Sequence, residues 1–129
     1  MRLARVQVFH WKLIMVKNLV ATCHTRYSTP EAAARSLAES VQEQLGGATA
    51  DVMIVFASPE VPYRPLLDAI NAQCKPRLLV GCSSAGEFSG CNTGNASVSA
   101  MAIRADDILF NAAVGTGLRA DRKGALDPS

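Results

Sequence analysis

Residues 28–47, STPEAAARSLAESVQEQLGG, followed closely by residues 51–56, DVMIVF, decide the fold. Thr29 is placed to cap a helix, Pro30 suits its first turn, and Ser28 to Glu31 has capping-box spacing. Ala34, Leu37, Ala38, Val41 and Leu45 recur at intervals of three and four, which puts them on one helical face. Gly46-Gly47 ends the helix, because glycine accepts the left-handed conformation there. The run at 51–56 is apolar and bounded by turn residues, as expected of a buried strand. A helix with one greasy face and a strand with two predict helix-on-sheet layers.

The same pattern extends in both directions. Residues 19–24 read as a strand ahead of the helix. Pro59, Pro62 and Pro65 mark a loop and a second helix entrance, and Leu66, Leu67, Ile70 and Cys74 carry that helix to a stop near Lys75-Pro76. Residues 78–80 form a short strand; 97–103 and 108–114 read as two more, joined by RADD as a hairpin. The expected class is α/β. Its helices pack on a mixed, mainly parallel sheet in the order β-α-β-α-β, followed by a β-hairpin, with right-handed crossovers. Residues 1–17 read as an N-terminal extension, with Met15 the candidate start of the patterned region; 18–118 form the domain and 119–129 a polar tail.

Composition narrows the function classes. The 129 residues make one domain or part of one, large enough for a real core. Half are apolar but only 5% are aromatic, so Ala, Val and Leu do the filling. A net charge of +2 with scattered Lys and Arg argues against nucleic acid, which needs a clustered basic face. No run reaches the ~18–20 apolar residues of a membrane helix. None of Cys23, Cys74, Cys82 and Cys91 has C-x-x-C spacing. Together with the lack of a clear signal peptide, this leads to an expectation of a cytoplasmic protein with free thiols and no membrane partner.

Chemistry concentrates in residues 81–90, GCSSAGEFSG, just after the strand at 78–80. Gly81 and Gly86 have P-loop spacing, but Glu87 and Phe88 stand where Lys and Ser or Thr are required, and a carboxylate there repels phosphate. A serine nucleophile elbow falls short by one residue, and both histidines lie upstream of the serines, against the usual hydrolase order. Cys82 with His24 as base is the remaining enzyme alternative. A metal site drawn from Cys23, His24, Cys82 and Cys91 lacks any local pair with ligand spacing, so no metal and no cofactor is expected. A ligand-binding loop fits best, because ligands sit at the carboxyl ends of strands in open α/β sheets. Glycines there allow close approach, Ser83 and Ser84 supply hydroxyls, and Glu87 can meet an ammonium or order the loop. The alternative is a tight turn whose serines cap nearby amides.

At these residues the chain resembles the FIST family, named for F-box and intracellular signal transduction proteins, in its N-terminal domain. Four stretches carry the resemblance: TPEAAARSLAESV with the strand before it, DVMIVFASP at 51–59, LLVGCSSAGEFSG at 78–90 and SVSAMAIRADDI at 97–108. Together they span about residues 18–118, and the Gly-Cys-Ser-Ser-Ala-Gly-Glu run is the most specific. The resemblance implies a sensory input module. It would bind a small molecule, amino acids or their derivatives being the implied class, and pass its state to a signalling protein. The expected role is that of a module with no catalysis of its own. By position it makes Gly81, Cys82, Ser83, Ser84, Ala85, Gly86 and Glu87 the candidate ligand segment, with Ser58 beside it and His24 after the first strand. Family members continue past this length, so the domain is expected to be incomplete. The second expectation is accordingly an association module that completes its fold with a partner or a second FIST-type chain.

Overall fold

The structure, a computed structural model, describes residues 18–84 and 96–117. The expectations for residues 1–17, for Ala85, Gly86 and Glu87, and for the tail at 119–129 lie outside these. The elements are β1 (Asn18–Arg26), α1 (Pro30–Gln44), β2 (Val52–Ala57), α2 (Tyr63–Cys74), β3 (Leu78–Ser83) and β4 (Ser97–Ala105). The α/β class and the mixed sheet are as the sequence suggests.

Helix α1 begins as its chemistry dictates. The Thr29 hydroxyl accepts the Ala32 N–H at 3.1 Å, satisfying one of the free donors of the first turn. Ala33, Ala34, Leu37 and Val41 are buried along one face, with Leu45 just beyond the last turn. Gly46 and Gly47 then take φ of 60° and 84° and release the chain. Helix α2 opens at Pro62 and tolerates Pro65 in its first turn, where N–H groups have no helical acceptor. It ends on Lys75 in the left-handed region (φ 47°), with Leu66 and Ile70 buried.

The strands lie in the order β1-β4-β2-β3. β2 and β3 pair in parallel; β4 pairs antiparallel with β1 on one side and β2 on the other. β1 and β2 therefore run in the same direction, as a β-α-β crossover requires, but β4 has inserted between them in a split arrangement. Two details thus differ from the expectation. Parallel pairing is confined to β2 with β3. The hairpin after β4 does not form either: no strand is assigned at 108–114, where Ile108, Leu109 and Val114 are 50%, 80% and 93% exposed. The reason is geometric. A strand has two edges, and both edges of β4 are already paired, so no ladder is open to a following strand.

Alternation divides the sheet into two faces. Ala21, Ala102, Met53 and Leu79 form one cross-strand row toward the helices, and Cys23, Ala100, Val55 and Gly81 form the next. Small residues in these rows let Leu37, Leu66 and Ile70, all at most 1% exposed, settle onto the sheet. At the amino end of β2, Asp51 is held by the Ala105 N–H at 2.9 Å and by Arg77 and Arg104 at 3.4 and 3.5 Å. The Ala105 N–H, helped by the two guanidiniums, holds its carboxyl below the usual range against the opposing effect of burial.

Candidate functional site at the carboxyl ends of β2 and β3

A cavity of about 310 Å³ lies between β3 and α2, reaching the carboxyl ends of β2 and β3. Gly81, Cys82 and Ser83 form its strand wall. Leu66, Leu67 and Asn71 close it from α2, and Tyr63 stands in the first turn of the same helix. Val55, Ala57 and Leu79 supply apolar floor. Its polar side-chain groups are the Tyr63 and Ser83 hydroxyls and the Asn71 amide. Among the described lining residues none is charged.

Gly81 has a strict steric role. It sits opposite Val55 in the β2–β3 ladder, and a Cβ built on it would overlap the Val55 carbonyl oxygen. Any side chain there would push β3 away from β2. Beyond β3 the ladder continues for one residue, with the Ser84 N–H donating to the Ala57 carbonyl at 2.9 Å. The first residues of the glycine-serine motif are thus fixed by sheet hydrogen bonds.

The other candidate residues fall elsewhere. Ser58 is buried at the end of β2. Its N–H donates to the Ser97 carbonyl at 3.0 Å, and its hydroxyl accepts the Ser97 N–H at 3.1 Å. Its partner Ser97 has the one buried side-chain hydroxyl without a hydrogen bond among the described residues. His24 lies on the opposite face of the sheet from the helices, with Nδ1 2.8 Å from the Ser99 hydroxyl.

The register separates Cys82 from His24. Across that face one row runs His24, Ser99, Phe56, Cys82, one residue per strand. Three strand spacings of about 4.8 Å put Cys82 about 14 Å from His24, far beyond proton-transfer reach. Cys23, next to His24, points to the helix side, where burial raises its thiol. Burial, and then the neighbouring Cys23, pushes Cys74 up to about 11. Among the described residues no group of three His, Cys, Asp or Glu is arranged to hold a metal ion. None of their helices is long and apolar enough to cross a membrane.

Sequence reasoning missed Tyr63 and Asn71 as cavity residues and read Leu66 and Leu67 only as core. Asn71 follows Leu67 by four residues, so the two share one side of α2. A polar residue beside the apolar stripe was the available signal.

The fold and cavity define a two-layer α/β domain with a small, uncharged recess at its strand ends. The family model of the FIST N domain matches residues 51–126, more than half of the chain, and takes in β2, α2, β3, β4 and the cavity wall. The chain belongs to the FIST family, and with that to sensory signal-transduction modules. No curated protein matches it. Among solved structures it is similar to thiamine-monophosphate kinase from Stenotrophomonas maltophilia K279a, at 14% identity and a TM-score of 0.47. That similarity covers 68% of this chain and 30% of the kinase, so the chain spans under a third of that protein's length. A likeness this loose carries no argument about activity.

Proposed function

We propose that the domain is a ligand-binding input module without catalysis of its own, and that its ligand is a small metabolite of amino-acid class held between β3 and α2. The observation that carries this reading is the cavity walled by Gly81, Cys82 and Ser83. At about 310 Å³ it lies at the small end of the ~300–1,000 Å³ range of ligand sites, which suits an amino acid or derivative better than a nucleotide. Leu66, Leu67 and Leu79 offer an apolar body, and Asn71, Tyr63 and Ser83 fix orientation by hydrogen bonds. A ligand that binds one arrangement of the domain better than another would shift the population toward it and so alter a surface read by a signalling partner.

The test is a melting-temperature panel of amino acids and their derivatives against the wild-type chain. A ligand at a hundredfold excess over its Kd stabilises by about 2.7 kcal/mol, an easily read shift. The expected result is a selective rise that disappears in Asn71→Ala and in Leu67→Trp, which fills the recess. A rise unaltered by both variants would put the ligand elsewhere and reject this site.

A further inference from the structure

The two edges of the sheet are finished differently. At the β1 edge the Gln44 carboxamide, at the end of α1, pairs with outward-facing main chain. Its Oε1 accepts the Thr22 N–H at 3.1 Å and its Nε2 donates to the Thr22 carbonyl at 2.8 Å. The side chain thus stands where a further strand would, and β1 also carries Asn18, His24 and Arg26, polar and charged residues that discourage strand addition. β3, at the other edge, has none of these devices. Its sequence LLVGCS holds no charge and no proline, and its register with β2 runs from Leu78 to Ser83 without a bulge. Among the described residues it pairs only with β2, and no side chain bonds to its main chain. Gly81 is exposed, and a glycine exposes nothing but main chain.

The recess lies along this edge. Successive side chains of a strand point to opposite faces, yet Leu79, Val80, Gly81, Cys82 and Ser83 all line it. Consecutive residues meet one cavity only where it reaches the side of the strand. Across from them Tyr63, Leu67 and Asn71, spaced by four, follow one side of α2. The two walls match in length, β3 at about 20 Å and α2 at about 18 Å.

We infer that the β3 edge is a docking site for an extended, uncharged segment of a partner protein, which adds to the sheet as a further strand between β3 and the side of α2. Unpaired N–H and C=O groups along a regular strand are complementary to another extended main chain, and this is the chemistry that sets the occupant. In strand addition the main-chain bonds supply affinity and pockets for alternate side chains supply specificity. Here the pocket is the recess, and because none of its described lining residues is charged, the side chains that enter it are apolar. A small ligand in the recess and this strand exclude one another, so the ligand would release the partner. That coupling rests on the reading of the recess as the ligand site; the docking itself does not.

The experiment titrates the full, ¹⁵N-labelled chain with the peptide acetyl-Thr-Val-Thr-Leu-Thr-Val-Thr-amide and follows main-chain amide resonances. Two analogues accompany it, one N-methylated at the Val and Leu residues and one at the inner threonines. Each removes the N–H donors from one edge of the extended peptide. The expected result is saturable shifts at Leu79–Ser83 and Asn71, with Thr22 on the β1 edge unmoved. One analogue should bind as the parent does, and the other should bind about tenfold more weakly or worse, since only one edge of the peptide faces β3. No saturable shift, or shifts centred away from β3, overturns the inference. Equal binding by both analogues and the parent overturns it too, because the contact is then not through main chain. A failure of the peptide beside a melting-temperature rise with an amino acid overturns the docking site and leaves the ligand reading of the recess standing.

Discussion

Replacing Gly81 with alanine tests the link between sheet and site. The added methyl would overlap the Val55 carbonyl oxygen, so one strand must move. Val55 cannot give easily, because β2 is held on its other edge by β4 through Ala100 and is only 3% exposed. β3 is paired only with β2 among the described strands, so it must shift, weakening the ladder from Leu78 to Ser83. Overpacking of this kind costs about 1–3 kcal/mol. For a domain of this size each kilocalorie lowers Tm by about 4–8 °C, so a mid-range cost of about 2 kcal/mol gives a drop of about 8–16 °C. Gly46→Ala is the control, since a methyl there would meet nothing within 4 Å and its cost is confined to a φ of 60°. Thermal unfolding followed by circular dichroism reads both. A Gly81→Ala protein melting within ~2 °C of wild type would refute the close-approach argument.

Further outcomes follow from the same structure. Leu37→Ala, at a site 0% exposed between α1 and the sheet, should cost about 2.7–5 kcal/mol by denaturant unfolding; a loss under ~1 kcal/mol would contradict its core position. Asp51 has its pKa depressed in the fold, so its stabilising contribution is complete above the unfolded carboxylate value and is lost as pH falls through the folded one. Wild type should therefore lose more Tm than Asp51→Asn as the solution is acidified below about pH 4, and parallel profiles would reject that role. Among the described cysteines, exposed Cys82 should alkylate first and Cys74, with a pKa of about 11, last; mass-spectrometric mapping that reversed this order would contradict the burial of Cys74.

What was legible in the sequence was local. Thr29, Pro30 and the Leu37–Val41–Leu45 spacing define α1 within a single segment, and residues 51–56 define β2 by their own composition. The position of β4 was not legible, because it depends on which edges remain open after β1 and β2 have been placed. The RADD turn signal at 104–107 pointed to a hairpin that the paired edges of β4 exclude. The site divides in the same way. Gly81, Cys82 and Ser83 were readable as a glycine-serine run at a strand end. Tyr63 and Asn71 join them only through the docking of α2 beside β3, a contact between segments that no single stretch encodes. His24 was grouped with the motif because strand ends cluster, yet alternation put it on the other face.

A small metabolite of amino-acid class entering the recess between β3 and α2 is the central claim. Methyl-labelled NMR of the Val and Leu side chains, titrated with amino acids and their derivatives, tests it most directly. The predicted result is saturable shifts concentrated at Val55, Leu66, Leu67 and Leu79, with Val20 and Val52 on the opposite face unmoved. Saturable shifts centred on Val20 and Val52 instead, or none from any compound at millimolar concentration, would contradict it.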